Sequence, residues 1–176
     1  MERDQLIEEL KQILIREIPN AVRNIRLDEE DKVCYLSLLG TDYEPVLGLI
    51  TVGIESFRKK IIEEYGIEDK YSIWNSGEMP VEYQTGIDNN SSFLKKQEAL
   101  VELFGDEEWE ESWEACQTLR FEVAKELNTF NWNEILPLTE DFVVYSDWEA
   151  IDVSNGDLLR SVPKEKIEIL INKGLI

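Results

Sequence analysis

Two strand-like runs joined by a short turn segment constrain the fold of this chain more than any other feature. KVCYLSLL (residues 32–39) and PVLGLITV (residues 45–52) are rich in aliphatic and β-branched residues, which is typical of strands. The segment GTDYE between them contains the glycine and aspartate that favour turns. A connection of about five residues is too short for a crossover, so the two strands must be antiparallel. The sequence therefore predicts a β-hairpin.

Apolar residues at helical spacing surround this hairpin. They predict helices over residues 3–18, 54–65, 93–105, 107–127 and 163–174, and the first of these is expected to end at Pro19. DFVVYSDW (residues 141–148) reads as a further strand, and residues 71–92 as a loop with one or two short strands.

The order of these elements favours an α+β fold. Strands cluster early and late with helices between them, and the hairpin requires antiparallel pairing. We expect an antiparallel sheet of about four to five strands flanked by amphipathic helices. No repeat or linker divides the chain, so residues 1–176 are expected to form a single domain.

Two residue types limit the chemistry that the chain can perform. The sequence contains no histidine, which excludes Ser-His and Cys-His nucleophile pairs and histidine zinc sites. Its only cysteines, Cys34 and Cys116, are far apart and form no CxxC pair, so they predict buried, reduced thiols. We therefore expect no metal site and no cofactor.

The net charge of the chain limits the classes of molecule that it can bind. The formal net charge is -20, and such a field repels nucleic acids and anionic membranes while attracting cationic partners. Residues 98–134 alone hold eleven acids against two bases. The N-terminus lacks the pattern of a signal peptide, and the longest apolar run is too short to span a bilayer. These features predict a cytoplasmic protein whose partner is a basic protein, with no direct nucleic-acid or membrane binding.

The most acidic stretch, DEEWEESWEA (residues 106–115), opens a predicted helix. Helical spacing places Trp109, Trp113, Cys116, Val123 and Leu127 on one apolar stripe, interrupted by Arg120, and leaves the glutamates on the other face. The helix dipole favours acids in the first turns. It does not explain the acidity of residues 63–90 and 135–157. A basic partner is the simplest explanation for that excess, and the competing explanation is that acidic cytosolic proteins are common.

We expect an acidic protein-binding module that captures a basic protein by long-range attraction and holds it with aromatic anchors. An immunity protein that neutralises a basic toxin would be one protein of this kind. The candidate partner-binding residues are Trp74, Glu78, Glu110, Glu111, Glu114, Asp147 and Glu149.

Two other functions stay open at this point. One is a hydrolase-type enzyme that uses Glu78, Asp147 and Glu149 as acid, base or metal ligands, because carboxylates in different environments can hold separated pKa values. The other is a housekeeping regulator without any toxin partner.

The C-terminal third also resembles a known family. DFVVYSDWEAIDVSNGDLLRSVPKEKIEILINKGLI is similar to the ending of an uncharacterised, mainly bacterial family, domain of unknown function forty-three-oh-three. VCYLSLLGTDYEPVLGLITVGIESF resembles the opening hairpin of that family, and YSIWNSGEMPVEY resembles its tryptophan and acid segment. The resemblance covers most of the chain from about residue 33 and implies a single α+β domain. It implies no activity, cofactor or catalytic residue.

Overall fold

The computed structural model describes residues 2–87, 89–105, 108–147, 153 and 156–176. The helices and strands within this part are, in chain order, α1 (Glu2–Val22), β1 (Val33–Leu39), β2 (Leu49–Ile54), α2 (Glu55–Tyr65), α3 (Lys70–Trp74), β3 (Gln84–Thr85), α4 (Ser91–Glu102), α5 (Trp109–Leu127), β4 (Leu138–Asp147) and α6 (Lys164–Asn172). No helix in these ranges is long and apolar enough to cross a membrane.

The sheet is mixed, with the strand order β3-β2-β1-β4. The hairpin is confirmed, since β1 and β2 pair antiparallel with Leu36 opposite Val52. β1 and β4, however, run parallel, with Leu36 opposite Val144. The α+β class is therefore confirmed, but the prediction of an antiparallel sheet is wrong. Its four strands, in the described ranges, include a parallel pair because α4 and α5 lie between the hairpin and β4 and return the chain in the direction of β1.

Each face of the sheet is covered by its own set of helices. α1, α4 and α5 pack on one face against Leu36, Leu38 and Val144. α2, α3 and α6 cover the other face, where Tyr35 and Tyr145 point. Successive side chains of a strand point to opposite faces, so β1 is buried on both sides, which explains why its sequence is almost continuously apolar.

The bounds of several elements differ from the sequence prediction, and α1, β2 and α3 show the physical reasons. α1 continues through Pro19 to Val22 because Ile18 and Val22 are fully buried, and their packing outweighs the lost amide of the proline. β2 begins at Leu49 instead of residue 45. The backbone of residues 45–47 is instead hydrogen-bonded to the side chains of Gln97 in α4 and Arg120 in α5. Residues 70–74 form the short helix α3 within the predicted loop.

A buried ion network joins the helices of the second face to β4. Arg58 of α2 is 2% exposed and contacts the Asp141 carboxylate of β4, which is fully buried, at 2.6 Å. Lys173, just after α6, donates to the other oxygen of Asp141 at 2.6 Å. Two cations around one buried carboxylate satisfy its charge where water cannot. The network thereby fixes α2 and the C-terminal segment against the sheet.

Candidate functional site

The structure places Trp74 in the core. Its side chain is fully buried, contacts the rings of Tyr35 and Tyr145, and donates from Nε1 to the carbonyl oxygen of Leu175 at 2.8 Å. An indole with no accessible surface cannot touch a partner. The expectation of an exposed aromatic anchor at Trp74 is therefore wrong.

Of the other candidates, Asp147 is buried and Glu78 is exposed, so these two do not form one surface. Asp147 ends β4 with only 3% of its surface exposed, and its Oδ2 accepts a hydrogen bond of 3.2 Å from Ser37. The expectation of an exposed carboxylate at Asp147 is thus also wrong. Glu78 is exposed, in a short 3-10 helix after α3. Glu149, like its neighbour Trp148, lies outside the described residues.

The remaining three candidates share one surface. Glu110, Glu111 and Glu114 are all exposed on the outer side of the first half of α5. None of the three makes an ion pair with any other residue that the structure describes. The prediction that the glutamates of this helix face away from its apolar stripe is confirmed for these three.

An exposed tryptophan lies among these carboxylates. Trp109 was expected in the core, but it is 58% exposed at the first residue of α5. Its ring stacks on the buried ring of Trp113, with 5.8 Å between centroids and 9° between planes. The aromatic anchor that the sequence placed at Trp74 is thus found at Trp109. We call the surface of Trp109, Glu110, Glu111 and Glu114 the acidic helix face.

A second acidic feature lies between the β1–β2 loop and α4. This groove has a volume of about 450 Å³ and is lined by the carboxylates of Asp42, Glu44, Glu98 and Glu102, together with the apolar surface of Tyr43 and Val101. None of its lining residues is basic, in the part of the chain that the structure describes. We call it the loop groove. No local sequence pattern indicates this groove, because its two halves lie about fifty residues apart in the chain.

Most bases near these carboxylates are paired elsewhere. Arg3 contacts Glu108 at 3.1 Å, and Lys11 contacts Glu122 at 2.9 Å. Lys96 of α4 pairs with Glu9 of α1. These pairs neutralise acids at the borders of α1, α4 and α5. Within the described part of the chain, no base forms an ion pair with the carboxylates of Glu110, Glu111 and Glu114 on the acidic helix face, or with those of Asp42, Glu98 and Glu102 in the loop groove.

A buried arginine connects the two features. Arg120 of α5 is fully buried and donates to the carbonyl oxygens of Pro45 and Val46 in the β1–β2 loop, the second at 3.3 Å. Its guanidinium also lies 6.0 Å from the ring of Trp113, the residue on which Trp109 stacks. Burial lowers the pKa of Arg120 to about 10, although Cys116 and Asp147 act in the opposite direction. The sequence signal for this residue was an arginine inside an apolar stripe.

Gly40 shows how closely Arg120 approaches the loop. A Cβ atom built at Gly40 would lie 2.2 Å from Nη1 of Arg120 and 2.5 Å from the carbonyl oxygen of Pro45. Any side chain at this position would therefore displace the arginine or the loop backbone.

The carboxylate-dependent enzyme gains no specific support from these positions. Asp147 is closed to an external substrate by its burial, and Glu78 is exposed to solvent. Within the described ranges there is also no group of three or more cysteine, aspartate or glutamate residues placed to hold a metal ion.

Comparison of the chain with known protein families, with curated proteins and with solved structures gives no match. The resemblance to domain of unknown function forty-three-oh-three therefore stays a prediction.

Proposed function

We propose that this protein binds a basic protein through the acidic helix face and the neighbouring loop groove. The observation that supports the proposal is that the carboxylates of Glu110, Glu111 and Glu114 are exposed beside the exposed Trp109 and form no ion pair with another described residue. Long-range attraction would bring a cationic partner to this surface, and the aromatic ring would then be buried against it.

The exposed tryptophan of the acidic helix face is costly for an isolated protein, which favours a binding role. Trp109 exposes more than half of a large apolar side chain to water. The like-charge pair of Glu110 and Glu114, four residues apart on α5, costs only roughly 0.2 to 0.5 kcal/mol, and the helix dipole, which favours acids in the first turn, offsets that cost. A partner with an apolar surface would bury the Trp109 ring when it binds.

Trp109 is also held in position before any partner arrives. Its ring stacks on Trp113, which is 6% exposed and adjoins the buried Arg120. A rigid aromatic side chain loses little conformational entropy on binding, and tryptophan is among the residues most often found at binding hot spots. The anchor is therefore preorganised.

An immunity protein that neutralises a basic toxin is the specific form of this proposal. Its support is the net charge of -20 and the acidic surface described above. A toxin gene directly upstream in the source genome would favour the immunity role, and a metabolic operon would contradict it.

The test begins with a partner captured from the source organism at low salt and then purified. Its association rate with this protein is measured by stopped-flow mixing over ionic strengths from about 0.01 to 1 M, where the screening length falls from about 30 to 3 Å. We expect the rate to drop steeply as salt increases. A rate that does not depend on salt contradicts the proposal.

A charge-matched pair of triple variants locates the surface. Glu110→Gln, Glu111→Gln and Glu114→Gln together should slow association on the order of tenfold at low salt, since these charges lie at the binding surface. The control removes the same charge from the exposed Glu63, Glu64 and Glu68, around the end of α2, and should change the rate much less. Equal effects of the two triples would show that only net charge matters and would contradict a defined site.

A further inference from the structure

Arg120 is a buried cation that the core does not neutralise with an ion pair. Its side chain is fully buried, and it forms no ion pair with any residue that the structure describes. Its Nη2 also has no hydrogen-bond partner among these residues. Burying an unpaired charge costs stability, and even a buried ion pair is often replaced by apolar residues without loss. The reason for an arginine here therefore lies in the groups that it holds in place.

The first of these groups is the backbone of the β1–β2 loop. Nη1 of Arg120 donates to the carbonyl oxygens of Pro45 and Val46, the second at 3.3 Å. Gly40 leaves the space for this contact, since a Cβ atom there would lie too close both to Nη1 of Arg120 and to the carbonyl oxygen of Pro45. A displacement of the loop backbone therefore also displaces the guanidinium.

The second group is the base of the aromatic anchor. The guanidinium carbon of Arg120 lies 6.0 Å from the centre of the Trp113 ring, on which Trp109 stacks with 9° between the planes. The three residues follow one another at helical spacing along the same side of α5. Exposure rises along this row from the fully buried Arg120 through Trp113, at 6%, to Trp109, at 58%. The row therefore leads from the loop contact in the core to the exposed ring.

We infer that Arg120 is a positioning residue of the acidic helix face, and that it couples the conformation of the β1–β2 loop to the orientation of the Trp109 ring. The planar guanidinium suits this role, because it donates to the loop carbonyls at its edge while its face can lie against an aromatic ring, whereas a lysine ammonium lacks this geometry. A partner that contacts the exposed tip of the loop at Tyr43 thereby also changes how firmly Trp109 is held. This inference rests on the proposed function, for which it names a regulatory contact.

The test follows the tryptophan rings one by one in the free protein. The full chain is labelled with 5-fluorotryptophan, and each of its five signals in the ¹⁹F NMR spectrum is assigned by a tryptophan-to-phenylalanine substitution. In Arg120→Met, the signals of Trp109 and Trp113 should move about half of the way or more towards their positions in the urea-unfolded protein, because the stacked pair loses its fixed geometry. The signals of Trp74 and Trp132, which pack on other rings of the core, should stay in place.

Three results of this experiment would overturn the inference. Unchanged signals of Trp109 and Trp113 in Arg120→Met would show that the arginine does not position them. Joint movement of all the tryptophan signals would show that the substitution acts through global unfolding. Arg120→Lys keeps the charge without the planar donor group and should behave like Arg120→Met, so native Trp109 and Trp113 signals in the lysine variant would show that charge alone is sufficient.

Gly40→Ala tests the coupling from the side of the loop and leaves Arg120 itself intact. The added methyl group has to displace the guanidinium or the loop backbone, so the Trp109 signal should move in the same direction as in Arg120→Met. Gly48→Ala is the matched control, because its Cβ atom would meet side chains of the same loop and not Arg120. The Trp109 signal should stay in place in this control, and equal movement in the two alanine variants contradicts the coupling.

The purified basic partner of the salt-dependence experiment separates this inference from the proposed function. Trp109→Ala and Gly40→Ala should each raise its dissociation rate about fivefold or more, while the association rate at low salt stays within about twofold because the surface charges are unchanged. If Trp109→Ala has this effect but Gly40→Ala leaves the Trp109 signal in place, the inference fails and the proposed function stands. If Gly40→Ala moves the Trp109 signal but Trp109→Ala does not change dissociation, the anchor of the proposed function fails and the coupling stands.

Discussion

The indole nitrogen of Trp74 donates a 2.8 Å hydrogen bond to the carbonyl oxygen of Leu175, and this bond ties α3 to the last residues of the chain. Lys70, at the start of α3, donates to the carbonyl oxygen of Gly174 next to it. Gly174 has a φ of +67°, so the chain turns there in the left-handed region that glycine favours. The C-terminal residues are therefore an integral part of the layer on the second face of the sheet.

Trp74→Phe should destabilise the protein. The substitution removes the Trp74 donor to the Leu175 carbonyl and leaves space between Tyr35 and Tyr145, so we expect the free energy of unfolding to fall by about 2 to 4 kcal/mol. Urea denaturation followed by circular dichroism measures the change. Tyr43→Phe is the control and should stay within about 0.5 kcal/mol of the unmodified protein. Equal stability of the two variants would contradict a core role for Trp74.

The ion network at Asp141 predicts loss of stability in acid. Burial acts to raise the pKa of Asp141, but hydrogen bonds and attraction from Arg58 and Lys173 outweigh it and hold the pKa below its ordinary value. The unfolded chain therefore binds the proton at a higher pH than the folded protein does. The resulting stabilisation is complete above the ordinary aspartate pKa of about 3.9 and is lost as the pH falls through that value towards the lowered pKa.

Asp141→Asn tests this origin of acid sensitivity. At neutral pH it leaves the buried Arg58 without the fully buried one of its two carboxylate partners, so that only the partly exposed Glu55 remains, and we expect a loss of about 3 to 5 kcal/mol. As the pH falls below about 4, the stability of the variant should decrease less than that of the unmodified protein, because the variant lacks the titrating carboxyl group of Asp141. Thermal unfolding at a series of pH values measures both effects. Parallel profiles of stability against pH for the two proteins would show that the acid sensitivity arises from other groups. Glu68→Gln, at an exposed position, is the control.

Local patterns predicted the elements of this fold better than they predicted its pairing. The hairpin follows from two adjacent strand-like runs and a turn, and α5 follows from apolar spacing within one segment. The direction of β4 depends instead on how the chain returns after α4 and α5, and no local pattern encodes that choice. The sheet was for this reason predicted as antiparallel although β1 and β4 are parallel.

The candidate site was predicted only in part, because the burial of a side chain depends on tertiary packing that local spacing does not encode. Glu110, Glu111 and Glu114 were assigned to an outer helix face by spacing alone, and they lie there. Trp74 was placed in a predicted loop and Trp109 on the apolar stripe of a predicted helix, yet Trp74 is fully buried and Trp109 is 58% exposed. Tertiary packing decides between them: Trp74 lies on the sheet beneath the C-terminal residues, whereas Trp109 begins α5 at its outer end.

The two thiols should be unreactive in the folded protein. Burial raises the pKa of Cys34 to about 12 and that of Cys116 to about 11, and both side chains are fully buried. Only the thiolate is an effective nucleophile, so iodoacetamide at neutral pH should modify neither cysteine before unfolding and both after it. Mass spectrometry of native and denatured samples gives the result. Rapid modification of either thiol in the native protein would contradict its burial.

The contact between Gln97 and the β1–β2 loop gives the last prediction. In Gln97→Leu the amides of Val46 and Leu47 lose their acceptor while their residues remain buried, so the free energy of unfolding should fall by about 2 to 4 kcal/mol. Hydrogen exchange should also accelerate at these two amides. Gln97→Glu keeps an acceptor oxygen in the same place, so the amides of Val46 and Leu47 should stay protected from hydrogen exchange. Gln12→Leu, on the exposed side of α1, is the control and should change neither the stability nor the exchange rates appreciably. If the two amides exchange equally fast in the Leu and Glu variants, Gln97 does not hold the loop, and the loop groove is then not preformed by α4.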